Sequence, residues 1–133
     1  MKITDLLNKG TLSLSFEVFP PKTNANFESV KSAVEEIAKL SPSFMSVTYG
    51  AGGGTSKYTL EIANDIKERY GVSSLAHLTC VSSTKETVRE RIEEMKNIGI
   101  ENVMALRGDL VAGSENDSRE NWDYRHAVDL VRE

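Results

Sequence analysis

A chain of 133 residues is the length of one domain, and an apolar content of 39% is enough to build its core. A net charge of −4 with no concentrated basic run excludes a general nucleic-acid binder, which needs a positive face for the phosphate backbone. The single cysteine, Cys80, cannot close an internal disulfide, MKITDLLNKG lacks an apolar signal core, and no run reaches membrane-spanning length. The expectation is a cytoplasmic protein with no membrane partner.

Along the chain, four short apolar runs recur roughly every thirty residues, separated by helix-patterned segments. The first, Leu12–Phe19, reads as a strand stopped by Pro20 and Pro21. A helix from about Phe27 to Leu40 follows, with Val30, Val34, Ile37 and Leu40 on one face, and Ser41-Pro42 breaks it. Phe44–Tyr49 is the second strand, and a glycine-rich loop spans Gly50 to Gly54. The second helix carries Leu60, Ala63, Ile66 and Tyr70 and stops at Gly71. Leu75–Cys80 is the third strand. Ser83 and Glu86 have capping-box spacing before a third helix with Val88, Ile92 and Met95 on its buried stripe, ended by Gly99. Val103–Arg107 is the fourth strand, and a polar loop from Gly113 to Asn121 leads to a fourth helix that runs to the end of the chain.

Alternating strands and helices predict an α/β fold of parallel (β/α) units in a single domain, 1–133. Side chains alternate across a strand, so each strand divides into two faces. Leu12, Leu14, Phe16 and Val18 oppose Ser13, Ser15 and Glu17; Met45 and Val47 oppose Ser46 and Thr48; Ala76 and Leu78 oppose His77 and Thr79. In the fourth strand, Met104 and Leu106 oppose Ala105 and Arg107, whose side Asp109 shares. One aliphatic and one small or polar face per strand suits the wall of a TIM-type barrel, because an open doubly wound sheet is apolar on both faces. Ligands of such walls gather at the carboxyl ends of the strands.

Several residues at those ends carry chemistry. Glu17 sits among Phe16, Val18 and Phe19, the kind of apolar neighbourhood that keeps a carboxyl group protonated for general-acid work, although a salt-bridged glutamate would fit as well. Asp109 can hold a ligand's donors or cap the following turn, and Arg107 can fork onto an anion or neutralise a carboxylate. His77 is one of two histidines; a lone histidine more often satisfies a core hydrogen bond, and no Cys/His cluster points to a metal. The loop 50–54 lacks the Gly-Lys-Ser/Thr of a P-loop and the GxGxxG of a dinucleotide fold, so as a phosphate cradle it is a weak signal. Trp122 and Tyr124 can stack on a ring, but beside a helix start they more often serve packing.

Four blocks, SFEVFPPK (15–22), SVTYGAGGG (46–54), AHLTC (76–80) and ALRGDL (105–110), stand in an order and spacing that resemble methylenetetrahydrofolate reductases across nearly the whole chain. The resemblance implies a (β/α)8 barrel that binds FAD. It also implies an oxidoreductase of one-carbon metabolism and methionine biosynthesis, which takes hydride from NADH or NADPH through the flavin and reduces 5,10-methylenetetrahydrofolate to 5-methyltetrahydrofolate. By position, Glu17 matches the general acid that helps to open the folate's five-membered ring. Asp109 matches an aspartate near flavin and pterin. Thr48, Tyr49, His77, Arg107 and Gly108 match flavin-contacting positions. His126 and Ala127 fall at a helix start that touches FAD in the family, with His126 in place of tyrosine, and Ser56 stands where many relatives have arginine.

The family barrel has eight strand–helix units and this chain carries four, a half barrel with two open sheet edges. The expected partners are therefore folate, NAD(P)H, and either a C-terminal half or further copies of the chain in a homo-oligomer. The alternative is a truncated, non-catalytic half barrel that binds flavin weakly or only with a partner.

Overall fold

The computed structural model describes residues 1–50, 55–110 and 122–133. Residues 51–54, most of the glycine-rich loop, and the polar loop 113–121 lie outside the described residues, as does the side chain of Ser56. A short helix α1 (Ile3–Leu7) precedes β1 (Ser15–Val18), α2 (Phe27–Ala38), β2 (Phe44–Val47), α3 (Ser56–Glu68), β3 (Ser73–Thr79), α4 (Lys85–Asn97), β4 (Val103–Leu106) and α5 (Ala127–Val131). The four strands form one parallel sheet in the order β1-β2-β3-β4. This is the expected α/β repeat, and it has the form of a partial barrel wall. Among the described residues no helix is long and apolar enough to cross a membrane.

The register defines which faces match. Phe16, Met45 and Ser74 lie side by side, as do Val18, Val47, Ala76 and Val103, and Leu78 pairs with Ala105 on the same face. Met45, Val47 and Ala76 are fully buried, packed with Val34, Ile62, Ile66, Val88 and Met95 of the helices, so this is the helix-covered face. The other face carries Glu17, Ser46, Leu75, His77 and Thr79. Here β4 departs from expectation: His77 pairs with Met104 and Thr79 with Leu106, so Met104 and Leu106 share the face of His77. Val103 and Ala105 share the side of Ala76 and Leu78, where Ala105 packs on the core and Val103 stays exposed. The inner layers of a barrel are themselves filled with branched apolar side chains, which is why size alone misassigns this strand.

Boundaries also differ: α2 ends at Ala38, which leaves Leu40 exposed, β2 ends at Val47, β3 spans Ser73–Thr79, and three further differences have a visible cause. β1 begins at Ser15 because its pairing with β2 begins there, and Leu12 and Leu14 beyond it are exposed. The cap of α4 is Thr84, one residue after Ser83: Thr84 Oγ1 accepts the Thr87 N–H at 3.2 Å, while Ser83 N–H turns back to the Cys80 carbonyl. The last helix is one short turn, Ala127–Val131, and ends before Glu133. Both glycine stops hold. Gly71 and Gly99 take positive φ, and at Gly99 the Ile100 and Gly99 amides donate to Met95 and Lys96 in a Schellman closure.

Asn102 clamps the amino-terminal end of the wall. Its Oδ1 accepts the Ile3 N–H at 2.9 Å, and its Nδ2 donates to the carbonyls of Met1 and Ser74 at 3.1 and 3.2 Å. Asn102→Ala strands the amide of buried Ile3. The expected cost is about 1–3 kcal/mol in urea unfolding, with faster amide exchange in α1. Unchanged stability and exchange would mean that water satisfies the same groups.

Candidate functional site

At the carboxyl ends of the four strands lies a trough of about 280 Å³, lined by Phe19, Thr48, Tyr49, Gly50, His77, Thr79, Val81, Leu106, Gly108 and Asp109. All four sequence blocks meet there, the first through Phe19 alone, because parallel strands bring their ends to one edge. A slightly larger hollow of about 330 Å³ between α3 and α4 is lined by residues of those helices and by Ile98, with Arg91 and Glu94 in it already paired; it shares no lining residue with the trough.

Of the residues expected to serve the site, the trough gathers Thr48, Tyr49, His77, Gly108 and Asp109. Thr48 continues the inner parity of β2, and its N–H is held by the Val18 carbonyl at 3.0 Å. Tyr49 borders the trough, but its ring belongs to the core, and its hydroxyl helps to keep Arg91 charged, after the larger effect of Glu94. His77 is buried on the inner face, and Asp109 is exposed at the rim.

Four expected residues stand outside the lining. Glu17 is exposed on the inner face of β1, so the described residues do not supply the apolar cover expected for it. Its carboxylate still acts on His77. Arg107 is half-buried; alternation from Ala105 carries it toward the helix side, its Nε–H donates to the Gly108 carbonyl, and its charge acts on Cys80 rather than in the trough. His126 caps α5: its carbonyl accepts the Asp129 N–H at 3.0 Å, while the Asp129 carboxylate receives the His126 and Arg125 amides at 2.9 and 3.1 Å. Those two backbone bonds hold the Asp129 carboxyl below its ordinary value. Ala127 follows as the first residue of that helix, half-buried. The Sγ of buried Cys80 faces the His126 carbonyl at 3.9 Å, which ties α5 to the end of β3, and burial pushes the thiol up.

Sequence reasoning did not assign Phe19, Gly50, Thr79, Val81 and Leu106 to the site. Thr79 was within reach, since it shares the parity of His77 one step nearer the strand end. Gly108 owes its place to a close approach. It takes φ +85°, and a Cβ there would lie 2.9 Å from both Thr79 Cβ and Val81 Cγ1, so β3 and β4 converge on a residue without a side chain and Asp109 is delivered to the rim.

Burial holds His77 below the ordinary histidine range, with the Glu17 carboxylate pulling the other way. The folded chain therefore favours neutral imidazole. As pH falls through about 6.5 the unfolded chain takes up this proton first, so stability present above that pH is lost below it until folded His77 also protonates. The imidazole resonances of His77 should titrate below about 6.5, and lower still in Glu17→Gln, which removes the opposing charge. A midpoint that Glu17→Gln leaves in place would show that Glu17 does not reach His77.

A family model described as methylenetetrahydrofolate reductase matches residues 2–133. The chain is 37% identical over 131 residues to "Methylenetetrahydrofolate reductase (NADH) 1" of Zea mays, covering 98% of this chain and 22% of that protein. It is 41% identical over 102 residues to the "5,10-methylenetetrahydrofolate reductase" of Pectobacterium carotovorum subsp. carotovorum, covering 77% and 34%. The corresponding protein of Escherichia coli (strain K12) is 39% identical over 106 residues, covering 80% and 36%. The chain thus spans about a fifth to a third of the length of these relatives.

Proposed function

The chain belongs to the methylenetetrahydrofolate reductase family, and from that membership we propose that it forms the N-terminal half of a flavin-binding (β/α)8 barrel. That barrel reduces 5,10-methylenetetrahydrofolate to 5-methyltetrahydrofolate with NADH or NADPH in the cytoplasm, and the single domain 1–133 supplies one wall of its site. The observation that carries this reading is the trough, in which four sequence blocks far apart in the chain converge on a parallel sheet's carboxyl edge.

The residues of the trough fit a flavin ring. Phe19, Val81 and Leu106 offer apolar cover, and Thr48, His77 and Asp109 offer hydrogen-bonding groups around it. At Gly108 the missing side chain lets the wall close without filling the space. A trough of about 280 Å³ takes a flat ring system and leaves the remainder of FAD to groups outside it, among which Arg107, His126 and Ala127 are the candidates in this chain. Bound flavin would supply the hydride chemistry. The protein's part is to orient the ring through the fixed backbone of Thr48, to set the charge beside it with Asp109, and to hold a proton for the folate on Glu17. Glu17 and His77 share the inner face, so the proton donor and the trough stand on one side of the wall.

One observation favours a second reading, a half barrel that binds flavin weakly or only after association. The inner face and edges expose Leu12, Leu14, Phe19 and Met104, apolar surface that a closed barrel would cover. Titration of the purified chain with FAD, followed by absorbance and solution mass, separates the two. Flavin bound with a shifted spectrum and bleached by NADH supports the reductase site. A chain that stays colourless at every FAD concentration, alone or self-associated, sinks it for this chain.

A further inference from the structure

We propose that Thr59 is the positioning residue for the Thr48–Gly50 corner of the trough, with its hydroxyl tying the end of β2 to the start of α3. The ligand in this inference rests on the flavin reading above; the tie itself does not.

Thr59 lies one turn into α3, outside the trough, and is fully buried. Its Oγ1 is 2.8 Å from the Thr48 carbonyl and 3.1 Å from the Thr55 carbonyl. A helical threonine commonly donates to the carbonyl four residues back, which is Thr55 here, so the ordinary reading is a local back-bond. Two facts favour the longer-range partner. The hydroxyl has one proton, and the Thr48 oxygen is the nearer acceptor. The Thr55 carbonyl already receives the Thr59 amide at 3.0 Å, so it keeps a partner without the hydroxyl.

Thr48 is thereby held at both backbone groups: its N–H by the Val18 carbonyl at 3.0 Å and its carbonyl by Thr59. With the backbone held, the side chain is left to face the trough. At the next corner, Gly50 takes φ +59°, and a Cβ there would collide with Thr55 Oγ1, so the start of α3 presses directly on the corner. Thr59 sits at the junction of these contacts, and its hydroxyl is the only one of its groups that reaches β2 by a hydrogen bond among the described residues.

The test compares Thr59→Val, which keeps the shape and loses the hydroxyl, with Thr59→Ser, which keeps the hydroxyl and loses a buried methyl. Two quantities are read in the 133-residue chain: exchange of the Thr48 amide proton by NMR without flavin, and FAD affinity by titration. Thr59→Val should raise both the Thr48 exchange rate and the FAD dissociation constant by about tenfold, the size of one net hydrogen bond. Thr59→Ser should leave both within about twofold even though its melting midpoint falls. If Thr59→Val does not fold, Thr59→Ser against Thr59→Ala makes the same comparison, since those two differ by the hydroxyl. Equal exchange in the hydroxyl-bearing and hydroxyl-free variants overturns the tie. Faster Thr48 exchange with unchanged FAD affinity overturns its role in positioning. If the wild-type chain binds no FAD, the flavin reading fails by itself, and the exchange comparison still decides whether Thr59 fixes Thr48.

Discussion

Glu17→Gln is expected to slow folate reduction by about 10²–10⁴-fold, the range spanned by loss of a general acid, in an assembly that reduces folate with NADH. Oxidation of NADH by the bound flavin should change by less than about twofold in the same preparation. The asymmetry follows from where the proton is needed. Opening the folate's five-membered ring requires an acid at the leaving nitrogen, whereas the transfer of hydride from nicotinamide to flavin takes no proton from this carboxyl. Glutamine keeps the size of the side chain at an exposed position, so the fold should be indifferent to the change. Stopped-flow measurement of flavin bleaching by NADH, and of its reoxidation by the folate, separates the half-reactions. Equal losses in both would move Glu17 from proton donor to a structural or binding role. In the described residues Glu17 is exposed, so the water exclusion that favours a protonated acid has to come from whatever covers the inner face of the wall. The effect belongs to the covered site and is measured there.

The order of elements was legible because each helix buries one stripe and each strand is short, apolar and followed by a break. Val34, Ile66, Val88 and Met95 are buried where helical spacing places them, and Gly71 and Gly99 stop their helices. The four sequence blocks were legible as a site because parallel strands bring their ends together. Alternation, however, only divides a strand into two faces; it does not say which face meets the helices. In β4 both faces are apolar, and the register with β3 rather than side-chain size settles that Met104 and Leu106 share the face of His77. The same step takes Arg107 off the inner parity it was expected to share with Glu17. The Thr84 cap was hidden because Ser83 offers the same chemistry one residue earlier, and the turn through Ser82 at φ +56° decides between them. Thr59 left a readable trace: it lies at helical spacing from Ala63 and Ile66, and a polar residue on a buried stripe needs a partner.

Gly108→Ala is expected to destabilise the fold by about 2–5 kcal/mol, combining roughly 1–2 kcal/mol for a side chain in left-handed backbone with roughly 1–3 kcal/mol for overpacking. Against a total stability of about 5–15 kcal/mol for a domain, that is a large fraction. The clash has no easy outlet. One of the atoms that the new Cβ would meet, Thr79 Cβ, is fixed to the β3 backbone, and the other, Val81 Cγ1, belongs to a stiff, buried β-branched side chain. Relief by moving the chain is costly as well, because the Arg107 carbonyl accepts the Cys80 and Val81 amides at 3.2 and 2.8 Å. Those bonds lock the end of β4 to β3 one residue before the glycine, so a shift that spares the packing loosens them. The residue after the glycine is Asp109, and the displacement falls on the rim of the trough. Chemical denaturation should show the lower midpoint with an unchanged slope, and the Thr79 and Val81 methyl resonances should report the local shift. FAD affinity should fall in Gly108→Ala even under conditions where the chain is fully folded, because the misplacement of Asp109 does not depend on global unfolding. A loss below about 0.5 kcal/mol, the level of an ordinary surface substitution, would mean that the two strands do not approach as closely at Gly108 as the backbone places them.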